Sequence, residues 1–124
     1  MLELTIKGTV YQFNFGMGFM RAINKLVGTP VDGLPDVKKN IGLQYYIAGV
    51  IDGDVEALVD VLDMANKNNE PRVTRDLLDF YIDDEETDID ALFDMVLDFL
   101  EKTNATKKVV ANLLAMVEAE KAKK

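Results

Sequence analysis

The sequence predicts a mainly α-helical single domain, in which an N-terminal β-hairpin packs on a bundle of about six helices. Three observations predict it. Apolar and polar residues alternate over residues 1–15, apolar residues take helical spacing from residue 16 onward, and 124 residues carry 48% hydrophobic content. Alternation indicates a half-buried strand, and a period of about 3.6 residues indicates a helix. A chain of this length is typical of one domain with its own core.

The hairpin occupies residues 1–15 and presents one apolar face. The apolar members of that face are Leu2, Leu4, Ile6, Tyr11, Phe13 and Phe15. A two-residue turn at Gly8-Thr9, with glycine first, is typical of a type II′ hairpin and pairs Leu2 with Phe15. Two strands alone are only marginally stable. We therefore expect the apolar face to pack on helices.

Six helical segments are predicted within residues 16–120, followed by a basic tail at 121–124. The segments run from Met17 to Val27, from about Asp36 to Ile51, and onward from about Asp54, Pro71, Thr87 and Asn104. Residues 29–35 are predicted to form a loop, because two prolines and a glycine interrupt the helical pattern. Thr87 and Asp90 resemble a capping box at the start of the fifth helix.

The second predicted helix contains two glycines, Gly42 and Gly49, two turns apart. Its spacing predicts a buried face made of Val37, Ile41, Tyr45, Ala48 and Ile51. A glycine inside a helix costs up to about 1 kcal/mol relative to alanine. We expect a close crossing of another helix or strand at both positions, in preference to a ligand site.

The composition excludes several classes of chemistry. The sequence contains no His, no Cys and no Ser. Disulfides, thiolate or imidazole metal ligands, and nucleophiles activated by histidine are therefore excluded. No carboxylate pair stands out as an active site. We expect a protein without enzymatic activity and without a cofactor.

The charge is concentrated in one part of the chain. The net charge is −8, yet residues 76–101 carry eleven acidic and no basic side chains. A calcium loop starting at Asp83 would need Gly at position 88 and Glu at position 94, where Asp88 and Asp94 stand. The pattern therefore disfavours calcium, and a solvated helix face is the simpler interpretation.

Repulsion within this acidic segment suggests compensation in space. Asp90, Asp94 and Asp98 lie four residues apart, and each such like-charged pair costs about 0.2–0.5 kcal/mol in a helix. Lys107, Lys108 and the C-terminal lysines, or a basic partner, would relieve it. Tolerance or neutralisation within the chain is favoured over a partner, because exposed ion pairs are weak.

Membrane and nucleic-acid partners are not expected. No run approaches the roughly 20 apolar residues of a membrane-spanning helix. The alternating N-terminus does not match a signal peptide. An acidic balance also opposes binding to phosphate backbones, which requires clustered Lys and Arg.

Two stretches resemble a known family. Residues 6–21, Ile-Lys-Gly-Thr-Val-Tyr-Gln-Phe-Asn-Phe-Gly-Met-Gly-Phe-Met-Arg, resemble the opening of tail assembly chaperones from long-tailed, siphovirus-type phages of Gram-positive bacteria. In that family a hairpin around Lys-Gly ends in a Phe-Gly element and continues into a helix. Residues 42–58 are similar in pattern. The likeness covers about the first half of the chain.

The resemblance implies a chaperone that works in the host cytoplasm and is absent from the mature virion. Its partners would be the tape measure protein, which is long and helical, and the tail tube protein, whose polymerisation it would assist. The unpaired hairpin edge and the amphipathic helices also favour self-association into a homo-oligomer.

Two apolar surfaces and one acidic surface are candidates for partner binding. The apolar candidates are a groove near the hairpin, formed by Phe13, Phe15, Phe19 and Met20, and the face running from Leu92 to Leu100. Ordinary core packing is the competing interpretation of both. The acidic candidates are Asp83, Asp84, Glu85, Glu86, Asp90, Asp94 and Asp98.

An alternative function comes from the same acidic residues. An acidic helical protein of a phage could mimic DNA and inhibit a host nucleic-acid-binding protein. Asp79, Asp83, Asp90, Asp94 and Asp98 would then imitate phosphates. Salt-sensitive binding to basic enzymes would distinguish this hypothesis from chaperone activity.

Overall fold

A computed structural model describes residues 1–122. Within them the chain forms two antiparallel hairpins and six α-helices, so the predicted mainly α fold is confirmed. In order the elements are β1 (Leu2–Ile6), β2 (Thr9–Phe13), α1 (Met17–Asn24), β3 (Gly28–Val31), β4 (Leu34–Asn40), α2 (Gly42–Ile51), α3 (Val55–Asn66), α4 (Arg75–Asp83), α5 (Ile89–Lys102) and α6 (Lys107–Ala122). Among the residues described, no helix is both long and apolar enough to span a membrane.

The first hairpin turns one position earlier than its glycine pattern predicts. Lys7 and Gly8 form the turn and both have positive φ, 51° and 81°, as a type I′ turn requires. Leu2 therefore pairs with Phe13 instead of Phe15. The shift in pairing is two residues, an even number, so the predicted apolar face is unchanged.

The second hairpin replaces the predicted loop over residues 29–35 and the first part of the helix predicted from about Asp36 to Ile51, which begins instead at Gly42. β3 and β4 pair antiparallel, with a shift of register between Pro30 and Val31. Gly33 lies at their turn with φ of 79°. The missed signal is Asp32-Gly33 between apolar residues, a dipeptide strongly favoured in hairpin turns. All seven residues of β4 are exposed.

The core forms between the first hairpin and the helices. Ile6 and Phe13 from the hairpin are fully buried, as are Leu58 and Leu62 from α3. Helix α3 is central, because it packs against α1, α2, α4 and β2. Each fully buried Leu, Ile or Phe side chain contributes about 1.5–3 kcal/mol, so this contact stabilises the hairpin that could not stand alone.

Both glycines of α2 lie at close crossings, as predicted. A Cβ atom at Gly42 would overlap the carbonyl oxygen of Ile23 in α1. A Cβ atom at Gly49 would lie 2.6 Å from the Cβ of Ala57 in α3. Helix α2 can therefore approach both neighbours only because these positions have no side chain.

The predicted buried face of α2 is wrong. The buried apolar residues are Leu43, Ile47 and Val50. Of the predicted face, Val37 and Tyr45 are exposed, and Ile41, Ala48 and Ile51 are only half-buried. Helix α2 is apolar on almost every side, so its sequence has little periodicity from which to choose a face.

Side-chain caps begin three of the helices. Asp54, Thr74 and Asp88 each accept a hydrogen bond from a backbone N–H in the first turn of α3, α4 and α5. The cap of α5 is thus Asp88 and not Thr87, which the capping-box pattern predicted.

Of the predicted basic tail, Lys121 and Ala122 belong to α6, and residues 123–124 lie outside those described.

Candidate functional site

The predicted groove near the hairpin consists mostly of core residues. Phe13, Phe15 and Phe19 are 0%, 3% and 4% exposed, and Met20 is half-buried. The ring of Phe15 meets that of Phe19 edge-on at 5.3 Å between centroids and that of Phe99 at 6.1 Å. These aromatic side chains stabilise the joint between hairpin and helices. A direct role in partner binding stays a prediction.

A small cavity does lie beside the hairpin. It has a volume of about 160 Å³ and is lined by Asn14, Gly16, Met17, Gly18, Phe19, Met64, Ala65, Asn68 and Asn69. Of the four predicted groove residues only Phe19 reaches it. Its walls carry three amide side chains, so it differs from an apolar groove.

A larger apolar groove lies where α2, α5 and α6 meet. Its larger depression, of about 460 Å³, is lined by Val50, Ile51, Gly53, Val55, Ile89, Asp90, Phe93, Asp94 and Leu97. Its smaller depression, of about 220 Å³, is lined by Ala48, Ile51, Asp52, Leu113, Met116, Val117 and Glu120. Ile51 lines both, so the two depressions adjoin. We call them together the α2–α5–α6 groove.

Helix α5 divides its apolar residues between the core and this groove. Leu92, Val96 and Leu100 are buried. Ile89, Phe93 and Leu97 are half-buried and form one wall of the larger depression. Each row repeats every four residues, which places its members on one side of the helix. The predicted face from Leu92 to Leu100 therefore contains a core row and a groove row.

The remaining groove residues were not predicted as a site. The sequence predicts Ala48 and Ile51 to lie in the buried face of α2. The most exposed apolar groove residue of α6 is Met116, which is 64% exposed. Within α6, Val110 is the buried residue, while Leu113 and Val117 are half-buried. The sequence signal that could have revealed the groove is that α2, α5 and α6 each carry more apolar residues than their contact with the core can cover.

The acidic candidates are all exposed, but they occupy different places. Asp90 and Asp94 line the larger depression. Asp83 ends α4, and Asp84, Glu85 and Glu86 lie in the turn before α5, where Asp84 accepts the Glu86 N–H at 3.0 Å. Of the acidic candidates, Asp90 and Asp94 alone therefore line the groove.

Little of the acidic segment is neutralised within residues 1–122. Asp98 pairs with Lys102 at 2.9 Å, and both side chains are at least half exposed. No other acidic residue of positions 76–101 forms an ion pair within that range. Arg72 and Arg75 instead bind Asp63 and Asp60 of α3, at 2.9 and 2.8 Å.

Among the described residues, the two groups with a shifted pKa are Arg75 of α4 and Tyr46 of α2, and neither of them lines the groove. The hydrogen bond to Asp60 raises the pKa of Arg75. Burial raises the pKa of Tyr46, and the charge of Asp60 adds to the rise. In the part of the chain that the structure describes, no cluster of three or more acidic residues could hold a metal ion.

A half-exposed apolar groove bordered by charged residues is typical of a surface that binds a segment of another protein. A family model described as phage tail assembly chaperone protein, TAC, matches residues 3–114. The chain belongs to this family of phage tail assembly chaperones. No curated protein and no solved structure matches it. The resemblance drawn from residues 6–21 and 42–58 is thus confirmed for the family.

Proposed function

We propose that this chaperone binds the tape measure protein during tail assembly and assists the tail tube protein to polymerise around it. On this proposal it acts in the cytoplasm of a Gram-positive host during infection by a siphovirus-type phage. It is absent from the mature virion, and it has no enzymatic activity and no cofactor. The observation that supports it is an open apolar groove in a member of the tail assembly chaperone family.

The groove suits an amphipathic segment of a helical client. Ile51, Phe93 and Met116 would cover the apolar face of such a segment, as helix-in-groove recognition requires. Covering that face would keep the client from aggregating before the tube surrounds it. The net charge of −8 would keep the complex soluble.

Capture of tape measure fragments tests the proposal. The full chain, immobilised, should retain fragments that contain amphipathic helices. Met116→Gln should weaken capture about three- to tenfold, because Met116 is 64% exposed in the groove and its loss removes contact area with little effect on folding. Met95→Gln is the matched control, since Met95 is 41% exposed on α5 but does not line the groove. Equal loss with both variants would contradict binding in the groove.

Absence from the virion has its own measurement. Mass spectrometry of purified phage should detect the tape measure and tube proteins but not this chain, which should be abundant in infected cells.

The DNA-mimic alternative has the exposed carboxylates that it needs, but the family match gives it no support, and we do not propose it.

A further inference from the structure

We propose that the α2–α5–α6 groove selects one kind of occupant, an amphipathic helix with Lys or Arg beside its apolar face. The inference rests on the proposed function for the identity of the client protein. The chemistry of the bound segment follows from the groove itself, whichever protein supplies that segment.

The apolar surface of the groove requires an apolar face on its occupant. The two depressions adjoin at Ile51, and Phe93 and Met116 stand in the larger and the smaller one. A helix that presents apolar residues at positions i, i+4 and i+7 can place successive side chains in adjoining depressions. An extended polar segment would leave these half-exposed walls in contact with water.

Carboxylates in both depressions require basic flanks. Asp90 and Asp94 line the larger depression, and Asp52 and Glu120 line the smaller one. Within residues 1–122, no Lys or Arg lines either depression. Acidic flanks on the occupant would meet charges of the same sign. Basic flanks would be attracted, and more strongly than at an open surface because the bound helix excludes water.

The spacing of the α5 carboxylates supports the same occupant. Asp90, Asp94 and Asp98 lie at successive four-residue steps on one helix and repel one another. Of these three carboxylates, only that of Asp98 has an ion-pair partner within residues 1–122, namely Lys102. A cation placed beside the groove would therefore relieve repulsion at Asp90 and Asp94 that the described residues of the chain leave in place.

Synthetic peptides test this inference without the tape measure protein. Three fluorescent 18-residue peptides are titrated against the full chain by anisotropy. One has a leucine face with lysine flanks, the second has the same face with glutamate flanks, and the third has the lysine composition in scrambled order. We expect the lysine-flanked helix to bind at least about tenfold tighter than the other two. Equal binding of the lysine- and glutamate-flanked helices would overturn the inference, and so would equal binding of the scrambled peptide.

Matched carboxylate variants locate the effect. Asp90→Asn combined with Asp94→Asn should reduce the lysine preference about three- to tenfold, and added salt should have less effect on this variant. Asp76→Asn combined with Glu101→Gln changes the net charge equally at exposed positions outside the groove, so the preference should persist. An equal loss in both double variants would overturn the inference. Capture of tape measure fragments is measured separately, so a failed peptide preference and a failed proposed function are distinguishable.

Discussion

At the scale of single residues, Asn66 connects three separate parts of the chain. It is fully buried at the end of α3. Its amide donates to the carbonyl oxygens of Gln12 and Pro71, at 2.9 and 3.2 Å. Its side-chain oxygen accepts from the backbone N–H of Val73 at 2.6 Å and from Arg72 at 3.1 Å. One side chain thereby joins the first hairpin and the segment before α4 to α3.

Removing this side chain should therefore be costly. We expect Asn66→Ala to lower the free energy of unfolding by about 2–4 kcal/mol, because it leaves buried backbone groups without partners. Urea unfolding followed by circular dichroism measures the change. Asn69→Ala is the control, since the half-buried Asn69 makes one bond, to the Ala65 carbonyl at 3.1 Å, and should cost about 1 kcal/mol or less. Similar losses in both variants would contradict the role of Asn66.

At the scale of elements, helix starts depend on which side chain faces the free N–H groups of the first turn. Thr87 and Asp88 are adjacent, and both residue types are common caps. In the structure Asp88 accepts the Ala91 N–H at 3.0 Å. The sequence placed the start of α5 correctly to within one residue. The turn formed by residues 84–87 decided which of the two side chains became the cap.

The two candidates can be separated by substitution. Asp88→Ala should lower the free energy of unfolding by about 1 kcal/mol through loss of the cap. Thr87→Ala should cost less than about 0.5 kcal/mol, because Asp88 would still cap the helix. Thermal unfolding of both variants measures the difference. A larger loss for Thr87→Ala would mean that the predicted capping box forms after all.

At the scale of the whole molecule, the second hairpin, β3–β4, stands apart from the core. The β3–β4 hairpin packs chiefly on itself. It exposes Leu34 and Val37 by 54% and 48%. An isolated two-stranded hairpin is marginally stable, so contact with a second copy would stabilise it. Self-association was predicted from the edge of the first hairpin, and the second hairpin is the more exposed candidate.

Sedimentation equilibrium tests self-association. We expect the apparent mass to rise above the 13.9 kDa of one chain as concentration increases. Leu34→Ser combined with Val37→Ser should lower the association constant about tenfold, because apolar contact area is lost. Val10→Ser, on the exposed side of the first hairpin, should have no such effect. A constant mass of 13.9 kDa at all concentrations would contradict the prediction.

The sequence by itself determined the class of fold, the apolar face of the first hairpin, the number of helices within residues 1–122 and the concentration of negative charge. These features depend on local periodicity and composition, which can be read from residues that are close together in the sequence. It also indicated close helix crossings at Gly42 and Gly49, because glycine destabilises a helix relative to alanine and is therefore expected where a side chain would not fit.

Only the tertiary structure decided which apolar surfaces are covered. Helix α2 is apolar on nearly all sides, so its sequence did not show that Leu43 and Ile47 are buried in the core while Ala48 and Ile51 are half-buried and line the groove. The groove likewise needs α2 together with α5 and α6, which lie almost forty residues or more further along the chain. Burial is a property of contacts between distant segments. A pattern within one segment limits the faces that can be buried, and packing selects among them.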